Sequence, residues 1–136
     1  MKSLSVKNPY AQLILQEFKT IEVRSRKTLH RGDILICVSK NITYAHQVHW
    51  NDADVPAYED INVLYEGVGM AIAIAEIVDV TPFEARHESL SFVKFNPHHP
   101  MFAWHLDNIR PIEPFEVSGS LGFFETPDHM IKIKTK

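Results

Sequence analysis

The spacing of apolar residues along the chain predicts strands joined by a few short helices. One helical stripe lies near the N-terminus, and it consists of Ala11, Ile14, Leu15 and Phe18. Asn8-Pro9 is a typical helix start, because Asn can cap a helix and Pro at the first helical position costs no hydrogen bond. From residue 20 to 25 the period becomes two, as in a half-buried strand. Further strands are predicted at 3–6, 34–39, 70–80, 102–106 and 130–134.

The strand at 20–25 carries charged residues where strands normally carry apolar or Thr side chains. Lys19, Glu22 and Arg24 follow the spacing K-x-x-E-x-R. With a period of two, Thr20, Glu22 and Arg24 share one face of the strand. Lys19 has the opposite parity and can join Glu22 only if it lies in the turn between the helix and the strand. We therefore expect a small polar site at this turn.

Glu76 interrupts the apolar run at the centre of the predicted strand 70–80. A buried carboxylate needs a partner, and Lys19 or Arg24 is the expected one if the side chain points inward. If the side chain points to solvent, Glu76 belongs only to the polar face of an edge strand.

Length and composition predict a single globular domain over residues 1–136. The chain is 45% hydrophobic, but its longest apolar run, from Val68 to Ala75, is too short to cross a bilayer. The segment after Met1 lacks the apolar centre of a signal peptide, so we expect a cytoplasmic protein without membrane contact. Cys37 is the single cysteine, and its apolar neighbours favour a small buried group over a nucleophile.

With a net charge of −3, strong non-specific binding of nucleic acid by the molecule as a whole is not expected. A local basic cluster nevertheless lies between residues 19 and 31, and only Glu22 opposes it. It consists of Lys19, Arg24, Arg26, Lys27 and Arg31. Such a cluster could hold one or two phosphates, or it could be a solvated charged loop.

No metal site and no cofactor site are predicted. The eight histidines form only two clusters, His46-x-x-His49 and His98-His99, and neither includes a cysteine. The glycines match neither a phosphate-binding loop nor a dinucleotide fingerprint, and no serine-hydrolase motif is present. The candidate chemistry therefore rests on the polar turn around Lys19.

The same residues carry a resemblance to the ASCH family. It rests on the segment Leu4-Ser5-Val6-Lys7-Asn8-Pro9-Tyr10-Ala11 followed by the K-x-x-E-x-R spacing, and it continues through 31–36, 69–80 and 102–106. The family signature is G-x-K-x-x-E-x-R, and here Glu17 stands in place of the leading Gly. The resemblance implies a mainly β, PUA-like barrel of five or six strands with two or three short flanking helices. It also implies that residues 41–66 lie beside the cleft.

The resemblance implies an RNA- or nucleoside-binding domain. Arg24 and Lys19 would then engage a phosphate or a base carbonyl, and Glu22 would accept a hydrogen bond from an exocyclic amine. Aromatic side chains would stack a base, as in single-stranded RNA recognition; they are Tyr10, Tyr44, Trp50 or Phe124. The further expected ligand contacts are Arg26, Lys27 and Ser39. A protein partner and the oligomeric state are not indicated by the sequence.

Three alternatives remain beside binding. One branch of the family looks like amidohydrolases that deacetylate acetylated cytidine, with a Lys as base and a Thr three residues later as nucleophile. Lys19 matches that Lys, but Glu22 occupies the Thr position and Thr20 is the nearest hydroxyl. Arg24 would lower the pKa of such a Lys and Glu22 would raise it. A ribonuclease could use Lys19 and Glu22 as acid and base, and a scaffold would use the three charges only as ion pairs.

Overall fold

The computed structural model describes residues 1–51 and 60–135, and the structural statements below refer to these residues. Its six strands are β1 (Lys2–Asn8), β2 (Ile21–Arg24), β3 (Gly32–Ile42), β4 (Met70–Pro82), β5 (Phe102–Glu116) and β6 (Phe123–Glu125). The α-helices among these residues are α1 (Tyr10–Leu15) and α2 (Glu88–Ser91). Single 3-10 turns lie at Ala45–Gln47, Ile61–Tyr65, Ala85–His87 and Asp128–Met130.

All six strands belong to one sheet, in the order β2-β5-β4-β3-β1-β6. The pair β1 and β3 is parallel, whereas the other pairs are antiparallel. The mainly β fold with six strands and short helices is therefore confirmed. The predicted closure into a barrel is not observed, because β2 and β6 are edge strands that do not pair with each other in the described part of the chain.

The open sheet nevertheless curls strongly. The ring of Trp104 on β5 stacks on the ring of Phe123 on β6 with 5.7 Å between centroids, although three strands separate β5 from β6 in the sheet order. The long strands β4 and β5 bend through several register shifts, and such bulges increase local twist. The curl brings the edge strand β2 towards β1, and a cleft lies between them.

The core fills both faces of the central strands. Ile34 and Ile36 of β3 pack on the inner side with Leu4 and Val6 of β1. Leu35 and Cys37 pack on the opposite side. Because both faces of β3 are covered, this strand is continuously apolar rather than alternating. Burial raises the pKa of Cys37 to about 12, as expected for an inert core thiol.

Helix α1 occupies the predicted position, but its start differs from the expectation. Asn8 does not cap the helix: its side-chain Nδ2 donates to the carbonyl oxygen of Glu66 at 2.8 Å, and Pro9 is the N-cap residue. The helix ends at Leu15, and Glu17, the residue after its C-cap Gln16, has a φ of 66° in the left-handed region. That conformation favours glycine, which explains physically why the family signature has Gly at this position.

Glu76 has no contact with the cations expected to pair with it. It is half-buried on β4, where its ladder neighbours are Asp33 and Asp107. Lys19 and Arg24 both bind Glu22 instead. The expectation that Lys19 or Arg24 neutralises Glu76 is therefore wrong.

Two kinds of feature are missing from residues 1–51 and 60–135. No helix there is long and apolar enough to pass through a membrane. No group of three or more His, Cys, Asp or Glu side chains is placed to hold a metal ion. His46, which the sequence placed in a possible pair with His49, stacks on the ring of Tyr44.

Candidate functional site

Lys19 lies in the turn between α1 and β2, as its parity required, and its side chain is fully buried. Its Nζ donates to the carbonyl oxygens of Ile21 and Ser91, each at 2.6 Å, and lies 3.5 Å from Oε1 of Glu22. The ring of Tyr10 covers the ammonium with its centroid at 4.8 Å. An ammonium group has three N–H donors; two of them donate to the carbonyl oxygens of Ile21 and Ser91, and Glu22 pairs with the charge.

Burial is the main influence on the charge of Lys19. It lowers the pKa of Lys19 from 10.5 to about 8, although Glu22 acts in the opposite direction. Arg24 lowers the pKa as well, but as the smallest of the causes. The sequence argument therefore gave the right direction and overstated the part played by Arg24.

Glu22 is held between two cations and is only 6% exposed. Its Oε2 accepts a hydrogen bond from Arg24 Nε at 2.8 Å and forms an ion pair with Nη2 at 2.7 Å. Burial alone would raise the pKa of Glu22, but Arg24 and Lys19 outweigh it and hold that pKa below its usual value. Nη2 of Arg24 also donates to the carbonyl oxygen of Ser5 on β1 at 2.9 Å. Lys19, Glu22 and Arg24, here called the buried charge cluster, therefore connect β2 to β1.

A cleft of about 560 Å³ opens next to this cluster. This volume lies within the range of small-molecule sites. Strands β1 and β2, the end of β3 and the loop 117–122 form its walls. The polar residues that line it are Ser5, Lys7, Tyr10, Glu22, Arg24, Ser39, Lys40, Asn41, Thr43, Ser118 and Ser120.

Two exposed lysines, Lys7 on β1 and Lys40 on β3, stand across one irregularity of the β1–β3 ladder. Val6 pairs with Val38 and Asn8 pairs with Ile42, so the three residues 39–41 stand opposite Lys7 alone. Bulges of this kind redirect side chains. Neither lysine takes part in an ion pair within the described residues. We call this pair the cationic rim.

The lining of the cleft is positive although the chain as a whole is negative. Its cations are Lys7, Arg24 and Lys40, and its carboxylate is Glu22. Arg24 and the buried Lys19 already neutralise that carboxylate. The cationic rim therefore adds charge that nothing in the described protein compensates, in a chain of net charge −3.

The loop 118–122 approaches the opposite wall closely. Gly119 has a φ of 63°, and a Cβ at this position would lie 3.1 Å from Oγ of Ser5. Only a glycine combines this backbone conformation with such a short approach at little cost. The loop thus narrows the cleft next to the strand to which Arg24 is bound.

The structure separates the residues predicted for the site into two groups. Those that line the cleft are Tyr10, Glu22, Arg24 and Ser39. Those outside the lining are Lys19, Thr20, Arg26 and Lys27. Thr20 holds neighbouring segments together through its backbone, with its N–H donating to Leu90 and its carbonyl accepting from Leu106. Arg26 accepts a hydrogen bond from Trp104 at its carbonyl, and Nζ of Lys27 lies 5.8 Å from the Phe102 ring centroid.

Sequence reasoning missed the cationic rim. Lys7 entered it only as part of the family motif, although Lys7 directly follows a buried strand and has no nearby carboxylate along the chain. Lys40 follows a buried strand in the same way. A search for lysines at the ends of buried strands would have found Lys7 and Lys40. Their placement opposite each other, however, depends on a bulge that no local sequence pattern encodes.

Comparison with known proteins identifies the family to which this fold belongs. The chain belongs to the ASCH domain family, whose model matches residues 4–116. The crystal structure of an ASCH protein from Zymomonas mobilis is similar, with a TM-score of 0.55 and 17% identity over 85% of this chain and 73% of that one. At this identity the similarity supports the fold alone.

Two mutant forms of the same Zymomonas mobilis protein also match. Each has a TM-score of 0.49 and 15% identity over 85% of this chain, and the matches cover 75% and 72% of the mutant chains. No curated protein matches the sequence significantly.

Proposed function

We propose that the cleft binds single-stranded RNA or a nucleoside-containing fragment of it. The observation that carries the proposal is the positive charge of Lys7 and Lys40 in the lining of a cleft of an acidic chain, where no described residue forms an ion pair with either lysine. Phosphates supply most of the affinity in nucleic-acid binding and pair with lysine and arginine. Membership of the ASCH family supports the proposal, because ASCH domains generally bind RNA.

The cleft offers a separate partner for each part of a nucleotide. Lys7 and Lys40 suit a phosphate, and the ionised Glu22 can accept a hydrogen bond from an exocyclic amine. The hydroxyl of Tyr10 has no hydrogen-bond partner among the described residues. Burial, with a smaller contribution from Glu22, raises the pKa of Tyr10 to about 12. This hydroxyl therefore stays protonated and can donate to a base or a sugar.

The alternatives require more of the site than binding does. An amidohydrolase or a ribonuclease of the expected kind needs Lys19 as a base, yet Lys19 is fully buried, its Nζ donates to two carbonyl oxygens and pairs with Glu22, and it does not line the cleft. A pure scaffold would pair the three charges without leaving a cavity, whereas Glu22 and Arg24 face a cleft. Binding requires no rearrangement of Lys19, and it accounts for the presence of the cavity.

The single domain over residues 1–136 stays a prediction.

A salt titration of RNA binding tests the proposal. Fluorescence anisotropy of a labelled single-stranded RNA is measured with the wild type, with Lys7→Ala/Lys40→Ala, and with Lys132→Ala/Lys134→Ala. The last variant removes the same charge from exposed positions outside the cleft. For single strands each lost phosphate contact reduces the salt slope by about 0.7, so we expect a reduction of about 1.4 in the first variant only.

Equal losses in the two double variants would mean that binding follows net charge and not the cleft. Absence of RNA binding by the wild type would reject the proposal altogether. Incubation of the wild type with the same RNA, and separately with acetylated cytidine, distinguishes binding from hydrolysis. The RNA should remain intact, and no acetate should be released from acetylated cytidine.

A further inference from the structure

The end of β3 and the two residues that follow it lead from the cleft to an exposed aromatic side chain. Lys40, Asn41 and Thr43 line the cleft, and Tyr44 follows directly with 60% of its surface exposed. Thr43 is fixed on both sides: its N–H donates to the carbonyl of Asn8 at 2.8 Å, and its carbonyl accepts from the Tyr65 hydroxyl at 2.8 Å. Neighbouring Cα atoms are about 3.8 Å apart, so the Tyr44 backbone lies directly beyond the lining of the cleft.

Tyr44 forms a flat stack with His46. Their ring centroids are 5.9 Å apart and their planes differ by 12°. The turn between them is held by two hydrogen bonds, from Tyr44 N–H to Oε1 of Gln47 at 3.0 Å and from Gln47 N–H to the Tyr44 carbonyl at 2.9 Å. Val48 then anchors the turn in the core. The exposed rings are thus kept in place by the backbone around them.

Stability does not explain this arrangement. A side chain contributes to folding by leaving water, and neither ring packs against a core cluster of the described residues. The Tyr44 hydroxyl also has no hydrogen-bond partner among those residues. An ordered, exposed aromatic surface beside a cationic cleft is instead the arrangement on which unpaired bases stack.

We propose that the Tyr44–His46 stack is a second base-binding subsite, so that the preferred ligand is single-stranded RNA of at least two nucleotides and not a free nucleoside. This inference rests on the proposed function. One nucleotide occupies the cleft, the phosphate between the two lies near Lys40, and the neighbouring base stacks on Tyr44. A duplex does not fit, because its bases are already stacked and paired.

Calorimetric titration with nucleoside monophosphates and with the matching 5′-phosphorylated dinucleotides tests the subsite, using all four bases. Wild type should bind the best dinucleotide about tenfold more tightly than its monophosphate, which is a typical contribution of one base–aromatic stack. Tyr44→Ala should remove this gain and leave the affinity for the monophosphate unchanged. Tyr44→Phe should retain the gain, since the ring remains. His46→Ala should reduce it, because the ring that supports Tyr44 is lost.

The outcomes distinguish this inference from the proposed function. Equal affinity of wild type for monophosphates and dinucleotides would overturn the second subsite while leaving the cleft intact. Unchanged dinucleotide binding by Tyr44→Ala would overturn it as well. Failure of both ligand classes to bind would reject the proposed function and the inference together. Thermal unfolding of each variant controls for loss of fold, and the exposure of Tyr44 predicts little change.

Discussion

The buried charge cluster and the cationic rim border the same cleft, but their lysines lie in opposite environments. Lys19 is fully buried, and three oxygens surround its ammonium. Lys7 and Lys40 are exposed and form no ion pair within the described residues. A buried charge must be paired to persist, whereas an exposed one is satisfied by water. The cluster is therefore already occupied by protein partners, and the rim is available for a ligand.

This difference assigns a different task to each region. Through Arg24, which binds both Glu22 and the carbonyl of Ser5, the cluster fixes the distance between β2 and β1. The cationic rim contributes little to the spacing of these two strands, and it instead supplies positive charge to the cleft. Substitutions in the cluster should consequently affect folding first, and substitutions in the rim should affect binding first.

The largest effect is expected from Lys19→Met. The change removes the ammonium that binds the carbonyl oxygens of Ile21 and Ser91, and it removes one of the two cations that hold Glu22. Removal of one partner of a buried ion pair typically costs about 3 kcal/mol or more. We expect a decrease of about this size in the free energy of unfolding at neutral pH, measured by urea denaturation.

Arg86→Met is the matched control for that measurement. Arg86 binds Glu84 at 3.0 Å, but both side chains are largely exposed. Exposed pairs contribute about 0 to 1 kcal/mol, so the control should unfold almost like the wild type. Similar losses in the two variants would show that burial does not distinguish the cluster from an ordinary surface pair.

A second prediction concerns the pH dependence of stability. The pKa of Lys19 is about 8 in the folded protein, against an ordinary value of 10.5. Between these values the unfolded chain holds a proton that the folded protein lacks, so the free energy of unfolding rises with pH. Between about pH 8 and 10.5 the free energy of unfolding of the wild type should rise relative to that of Lys19→Met, by at most about 1.4 kcal/mol per pH unit.

Urea denaturation of both proteins at several pH values gives this difference directly. Groups other than Lys19 titrate in both proteins and largely cancel in it. A constant difference across the interval would mean that Glu22 keeps the pKa of Lys19 near its ordinary value. In that case burial would not dominate the electrostatics of the cluster.

Local patterns were sufficient to predict the part of the site built by one stretch of chain. The change of period between α1 and β2 placed Lys19 in the turn, and parity placed Glu22 and Arg24 on one face of the strand. Both features depend only on residues near in sequence. The structure bears them out: Lys19 forms an ion pair with Glu22 and donates to the Ile21 carbonyl, and Arg24 donates to Glu22.

Features that depend on the order and curvature of the sheet could not be predicted in this way. Lys19 or Arg24 was the expected partner of Glu76 if that side chain pointed inward, but β5 lies between β2 and β4 in the sheet. The meeting of Lys7 with Lys40 depends on three residues of β3 opposing one residue of β1. The open sheet, in place of a closed barrel, likewise follows from long-range pairing. Non-local contacts of these kinds leave no periodic signal in the sequence.

The smallest effect is expected from Arg26→Ala/Lys27→Ala, a variant that tests whether cations outside the cleft also contribute to RNA binding. The sequence predicted both residues as ligand contacts, yet both are exposed and neither lines the cleft. Surface changes of this kind usually alter stability by less than about 0.5 kcal/mol. This variant removes the same charge as Lys7→Ala/Lys40→Ala. Because only charges close to a phosphate act strongly in salt, we expect the affinity for single-stranded RNA to change by less than about threefold.

The salt slope of this variant should stay close to that of the wild type in the anisotropy titration. A reduction as large as that caused by the loss of Lys7 and Lys40 would mean that RNA also contacts the segment after β2. Arg26 and Lys27 would then be the ligand contacts that the sequence predicted, and phosphate binding would extend beyond the cleft. The distinction between a paired cluster and a free rim would still describe the charges of the protein, but it would no longer mark the limits of its binding surface.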